Sequence, residues 1–237
     1  VSVNQITVNK NNVSFKVEDS EELHQDVGYN FWSEKYSSWE PSTFQVLDKY
    51  LSKDKDYLDI GSWVGPTAIY ASFHCRQVVA VEPDPTAYQI LQKNISLNSI
   101  NNITSLNKAA SKLKTAFLEC NKFFGDSMSR VSQQVNSGVS VETIGLDELI
   151  SLGDFSLIKI DIEGHEFELV KEYIDILDEH KIPLLLSTHA CFFSDGKYLM
   201  KELMKSFSNV KNIFNEFDKE VDPDEVQYNL GSYLFLW

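Results

Sequence analysis

The chain has 237 residues, of which 43% are hydrophobic and 24% charged. That is ordinary globular usage and enough for one sizeable core, so general disorder is excluded. Lys and Arg number 21 against 35 Asp and Glu, a net charge of −14. With no basic stripe anywhere, this argues against a nucleic-acid partner and against docking on an anionic membrane surface.

In chain order, "ITVNKNNVSFKVED" alternates as a small hairpin turning at Asn11-Asn12. An aromatic-rich segment follows, with Tyr29, Phe31, Trp32, Tyr36 and Trp39. Phe44, Leu47, Tyr50 and Leu51 then recur at helical spacing, with Ser42 or Thr43 as the expected cap. From Asp56 onward strand and helix alternate. "DYLDIGS" reads as a strand and residues 66–73 as a helix, with Pro66 in its first turn. "QVVAVEPD" is a second strand, "PTAYQILQKNISLN" a helix and "NITSLNKAAS" a third strand. "TAFLEC" and "VSVETIG" read as a strand pair around a long polar excursion, and "LDELI" as a short helix. "FSLIKIDIEG" is a strand, "HEFELVKEYIDIL" a helix and "IPLLLSTHA" a strand. "KYLMKELMKSF" is a helix, and "NVKNIFNEF" and "SYLFLW" are closing strands.

Near-continuous apolar strands between helices predict a three-layer αβα sandwich around a mostly parallel, Rossmann-like sheet. Residues 1–50 read as an N-terminal extension, a hairpin and helix able to act as a lid, and residues 51–237 as the α/β domain. The whole is expected to form one domain. No apolar run is long enough for a membrane span, and no signal peptide is expected. Cys75, Cys120 and Cys191 are scattered without a C-x-x-C. That usage suggests reduced thiols and a cytoplasmic location, with Cys75 and Cys191 as small buried hydrophobes.

The stretch "YLDIGSWVGPTAIYAS" is the first chemical signal. In a parallel sheet, ligands bind beyond the C-terminal strand ends. Asp59 ends the first strand, Gly61 and Gly65 shape the turn, and Glu82 ends the second strand, where an acid can hold ribose hydroxyls. The third glycine of a dinucleotide fingerprint is missing, and an acid before the loop would repel a diphosphate. An ammonium, a sulfonium and a ribose suit Asp59 and Glu82 better, which points to S-adenosylmethionine. Glycines after strands are also ordinary turn residues.

The second signal is "KIDIEGH". While the chain stays extended, Lys159, Asp161, Glu163 and His165 share one face. A buried ion pair of Lys159 with Asp161 or Glu163 is one reading. The other makes Asp161 and His165 catalytic, with Asp161, Glu163 and His165 able to ligate a divalent metal. His189 ends the next strand and is either a packed histidine or the base for an attacking hydroxyl. The aromatic segment is either core or an acceptor wall. The excursion around Asp126, Ser127 and Arg130 is long enough to shape an acceptor pocket.

"YLDIGSWVGPTAIYA", "VVAVEPDP", "NKAAS" and "SLIKIDIEGHEFELVK" together resemble the FkbM family of S-adenosylmethionine-dependent methyltransferases, over about residues 56–177. The resemblance implies a seven-stranded class I methyltransferase fold whose last strand is antiparallel. It also implies O-methyl transfer to hydroxyls of sugars or macrolide-type secondary metabolites, hence a small-molecule or glycan acceptor. By it, Asp59, Gly61, Ser62 and Gly65 line the methionine end of the cofactor, and Glu40 and Thr43 of "WEPST" reach toward it. Glu82 and Pro83 sit at the ribose, and Asn107 and Ala109 near the adenine. Trp63 stands beside the cofactor where many relatives carry a small polar residue. Two rival readings are an NAD-dependent oxidoreductase, against which the absence of Tyr-x-x-x-Lys speaks, and a non-catalytic methyltransferase-like binding subunit.

Overall fold

The N-terminal alternation folds as the hairpin it predicts. Strands β1 (Asn4–Lys10) and β2 (Val13–Asp19) pair antiparallel, with Lys10 opposite Val13 and Asn11 at a left-handed φ of 49° in the turn. The computed structural model describes residues 4–19, 31–119, 125, 127–132, 138–223 and 231–237. Tyr29, Cys120 and Asp126 lie outside them. After two short helical turns (Phe31–Lys35 and Tyr36–Ser38), helix α1 spans Pro41–Tyr50. Its cap differs from the expectation. Glu40 occupies the cap position at φ 42°, Pro41 opens the first turn, and the Thr43 hydroxyl reaches back to donate to Glu40 Oε2 at 3.0 Å. Pro41 has no N–H to satisfy, so the start moves upstream of Ser42 and Thr43.

Seven strands build the central sheet: β3 (Asp56–Ile60), β4 (Val78–Val81), β5 (Ile103–Leu106), β10 (Phe155–Ile160), β11 (Leu184–Thr188), β12 (Asn212–Asn215) and β13 (Gly231–Leu236). Their order is β12-β13-β11-β10-β3-β4-β5. The contacts among β5, β4, β3, β10 and β11 are parallel, and β13 runs antiparallel to both β11 and β12. From β3 the chain winds outward through β4 and β5, then returns to place β10 on the other side of β3. That reversal opens a crevice at the strand C-termini between β3 and β10.

The period-2 alternation sorts side chains between two apolar layers. Leu58, Ile60, Ile158, Ile160, Leu184 and Leu186 face α4 (Leu146–Ser151), α5 (Glu166–His180) and α6 (Gly196–Ser206). Tyr57, Val78, Ala80, Leu157 and Leu185 face α1, α2 (Pro66–Ser72) and α3 (Pro85–Leu97). Val8, Phe15, Val17, Phe31, Trp32 and Tyr36 belong to this second cluster, so the hairpin and aromatic segment complete one face of the core. Strand β6 (Ala109–Ala110) pairs parallel with β9 (Val139–Ile144), and β7 (Thr115–Glu119) pairs antiparallel with both β8 (Arg130–Ser132) and β9, flanking the polar excursion. Cys75 is buried, but Cys191 is exposed, because it falls in the short turn after β11 rather than in that strand. No helix among the described residues is long and apolar enough to cross a membrane.

Candidate active site

The site grows from the register of two neighbouring parallel strands. Lys159 lies opposite Asp59, and partners in a parallel ladder point to the same face. Both are buried. The Lys159 ammonium bonds Asp161 Oδ2 at 2.9 Å and stands 3.9 Å from Asp59 Oδ1. Burial disfavours the ammonium, but Asp161, Asp59 and Glu40 together outweigh it and hold its pKa above the ordinary lysine value. Burial likewise disfavours the Asp161 carboxylate, yet Lys159 and His189 bring its pKa below normal. Asp59 goes the other way. Burial raises its pKa against the pull of Lys159 and of the Thr67 hydroxyl, which donates to Oδ2 at 2.6 Å.

The glycine loop packs on this pair. Gly61 has φ +83°, and a Cβ there would lie 1.8 Å from the carbonyl oxygen of Asp161. Only glycine lets the end of β3 pass that close to the chain leaving β10. The Asp161 N–H still donates to Ile60 O at 2.9 Å, one residue beyond the strand, which fixes Asp161 at the crevice. Gly65, at φ +96°, caps α2. Trp63 takes the left-handed conformation at φ 47°. Its backbone N–H donates to Glu82 Oε2 at 2.8 Å, and its indole N–H donates to Gly125 O at 3.0 Å. Glu82 Oε1 accepts the Asp84 N–H at 2.8 Å. Burial nonetheless pushes Glu82 up to about 8, against those two backbone bonds.

A cavity of about 760 Å³ opens over this floor. Gly61, Ser62, Trp63 and Thr67 line it on one side, and Lys159, Asp161, Glu163, Ser187 and His189 on the other. Glu40 and Thr43 form part of its wall, and the turn Glu216, Phe217 and Asp218 another part. A second, small cavity of about 50 Å³ lies among Trp63, Glu82, Pro83, Ala109 and Ile162. The wall that carries Glu40 is anchored from the hairpin. Lys10 Nζ donates to the carbonyls of Tyr36 (3.1 Å) and Trp39 (2.5 Å) and sits 4.0 Å from the centroid of the Phe44 ring. Burial pushes Glu40 up to about 7, with Asp161 adding to the effect and Lys159 opposing it.

The expected D-x-E-x-H face does not form. Glu163 at φ 53° and Gly164 at φ 109° turn the chain after Asp161. This carries His165 away, with Nδ1 3.3 Å from Glu168 Oε2, and burial lowers its pKa. His189 takes the vacated place. Its Nε2 lies 3.6 Å from Asp161 Oδ1 and 3.4 Å from Glu163 Oε2, while Nδ1 is 3.2 Å from Glu166 Oε1. Burial works against the charged ring, but Glu166, Asp161 and Glu163 raise His189 to about 9. Burial raises Glu163 to about 7 despite His189. Phe192 stacks on His189 at a centroid separation of 5.4 Å, and the Arg130 guanidinium lies 4.1 Å over Phe192.

Other expected residues are placed differently as well. Asp59 is fully buried and is not among the residues lining the cavity, whereas Thr67, whose hydroxyl donates to it, is. Asn107 ties the β4–α3 turn by donating to the carbonyls of Glu82 (2.8 Å) and Pro83 (3.1 Å). Of the aromatic segment, Phe31 and Trp39 line the cavity, whereas Trp32 and Tyr36 are core. Sequence reasoning missed Glu166 as a partner of His189. It also missed Ser187, Ser232 and the Glu216–Asp218 turn as cavity wall. A glutamate in the first turn of a helix after a glycine break was the one available signal for Glu166.

The strand order, the antiparallel β13 and a crevice floored by carboxylates define a Rossmann-like fold of the class I methyltransferase type. The chain belongs to the FkbM methyltransferase family: the profile described as "Methyltransferase FkbM domain" matches residues 59–219. It is similar to the hexuronic acid methyltransferase AglP of Haloferax volcanii, at 26% identity over 135 residues, 56% of this chain and 55% of that protein. A shorter likeness, 41% over 63 residues, is to the ribosomal protein L11 methyltransferase of Clostridium perfringens and covers 26% of this chain and 20% of that protein. The chain thus spans between a fifth and about half of the curated relatives it matches. Among solved structures, methyltransferase FkbM from Methylobacillus flagellatus aligns with a TM-score of 0.46 at 18% identity, covering 78% of this chain and 44% of that one.

Proposed function

We propose that the chain transfers a methyl group from S-adenosylmethionine to a hydroxyl of a sugar or secondary metabolite. The observation that carries this reading is the cavity at the β3–β10 switch point. Its walls offer carboxylates, Glu40, Asp161 and Glu163, and Lys159, the one lysine among its described lining residues, is already ion-paired. Such a site suits a ligand with a sulfonium and an ammonium and disfavours one with a diphosphate. The volume is that of a small-molecule site. In this reading Glu82 would take the ribose hydroxyls, having lone pairs to spare beyond its two backbone donors. The small cavity at Pro83 and Ala109, about 50 Å³, would have to enlarge to admit a purine.

The cofactor supplies an activated methyl group, so the protein's work is alignment. An acceptor oxygen forms the new O–CH₃ bond as the S–CH₃ bond breaks, and the sulfonium becomes a neutral thioether. The hydroxyl proton leaves toward the Asp161, Glu163 and His189 group at the cavity floor. The likeness to a hexuronic acid methyltransferase supports a sugar acceptor.

Calorimetry with S-adenosylhomocysteine, followed by labelled methyl transfer onto hexuronate, neutral sugar and polyketide acceptors, tests this. Saturable binding of one equivalent, and transfer to a hydroxyl acceptor, are expected. Failure to bind S-adenosylhomocysteine would sink the reading and favour a non-catalytic binding role.

A further inference from the structure

We propose that Asp161, Glu163 and His189 hold one divalent cation of borderline hardness, such as Mn²⁺, at the floor of the cavity. Whether the ion takes part in methyl transfer rests on the function proposed above, but its binding does not. One ligand atom from each residue lies within 4.8 Å of the others. The His189 ring is 5% exposed, and its Nε2 faces the carboxylates of Glu163 and Asp161 at 3.4 and 3.6 Å. Those separations are long for hydrogen bonds. Neighbouring ligands on one ion sit ~3.0–3.4 Å apart when ligand bonds are ~2.1–2.4 Å, so the Glu163 separation already falls at that limit and the Asp161 one needs to close by a few tenths of an ångström.

The surroundings prepare that nitrogen. Glu166 is fully buried, and its oxygens accept the N–H groups of His189 and Gly164, each at 2.7 Å. It therefore acts as an acceptor toward Nδ1, which carries a hydrogen in either protonation state, so a metal has only the proton on Nε2 to displace. A carboxylate behind a histidine is the usual support of a metal-bound imidazole. Charge favours a cation too. Glu40, Asp161 and Glu163 line the cavity, and Lys159 there is already committed to Asp161 and Asp59. One imidazole with two carboxylates suits Mn²⁺ or Zn²⁺ better than an all-oxygen cage for Ca²⁺. In the function proposed above, the ion would hold the acceptor hydroxyl beside the cofactor methyl and ease loss of its proton.

The test is Mn²⁺ binding to chelator-treated full chain, read from loss of the free-ion electron paramagnetic resonance signal, with Mg²⁺, Zn²⁺ and Ca²⁺ as competitors. One site per chain is expected. His189→Ala and Glu163→Gln should each weaken binding at least about tenfold, and His165→Ala should leave it unchanged. Circular dichroism checks that each variant folds. Glu163→Gln, at the partly open edge of the site, stands alone if His189→Ala does not. S-adenosylhomocysteine binding by the metal-free protein is measured in parallel, so that loss of the metal idea is separable from loss of the methyltransferase reading. Mn²⁺ uptake that is absent, or indifferent to Glu163→Gln, would overturn the proposal.

Discussion

Glu82 offers the sharpest test of the cofactor end, because its burial and its expected ribose contact pull its charge in opposite directions. Without a ligand, burial raises its pKa from 4.5 to about 8. An acid shifted upward favours the fold fully while it is protonated in both states. That contribution is lost as pH rises from the unfolded value toward the folded one, and the loss levels off above about 8. Each pH unit inside the window is worth about 1.4 kcal/mol. Between about pH 5 and about pH 7.5, wild type should therefore lose ~3 kcal/mol relative to Glu82→Gln, an upper bound. The variant also carries a fixed penalty. Both Glu82 oxygens accept backbone N–H groups, from Trp63 and Asp84, so the amide must turn a donor toward one of them. That costs ~1–3 kcal/mol at every pH and drops out of the pH-dependent difference. Urea unfolding of both proteins across this range, at constant slope, measures it. Saturating S-adenosylhomocysteine should flatten the wild-type dependence, since ribose hydroxyls donating to Glu82 favour its ionised form. A stability difference independent of pH in the ligand-free protein would refute the reasoning, for Glu82 would then ionise normally inside the fold.

Two further outcomes follow from the floor of the site. Lys159→Met strands Asp59, whose Oδ1 already has no hydrogen bond, beside Asp161; stability should fall by ~3–5 kcal/mol, and adding Asp59→Asn should restore part of it. A loss below ~1 kcal/mol in denaturant unfolding would mean that the pair is solvated. Gly61→Ala drives a Cβ into the Asp161 carbonyl at a positive φ, so about 3 kcal/mol or more should be lost. An unchanged melting temperature would show that β3 and the chain leaving β10 do not approach this closely.

What local sequence could determine, it determined through period and punctuation. The strand–glycine–helix run at residues 57–72, the acid ending β4 and the Asn11 turn are each written within a few residues, and each forms where expected. Phe44 and Leu47 likewise announce α1, although the Pro41 start displaced the predicted cap. Even the FkbM family was legible, because its motifs are short and contiguous.

The chemistry at the crevice was decided elsewhere. Alternation within "KIDIEGH" put His165 beside Asp161, but a positive φ at Glu163 and Gly164 breaks the extended geometry on which that inference depends. Parallel register then supplied His189 from the next strand end, together with the buried Glu166 that orients it. Register also set Lys159 against Asp59, which turned an expected ligand-facing acid into a buried counter-ion. The Glu216–Asp218 turn lines the cavity only because β12 and β13 bring it there, and nothing in its polar sequence marks it. Residue types and local periods thus set which groups the chain possesses and which segments become strands. Which groups meet depends on strand neighbours distant in sequence and on the backbone turns after each strand, and these exist only once the sheet has closed.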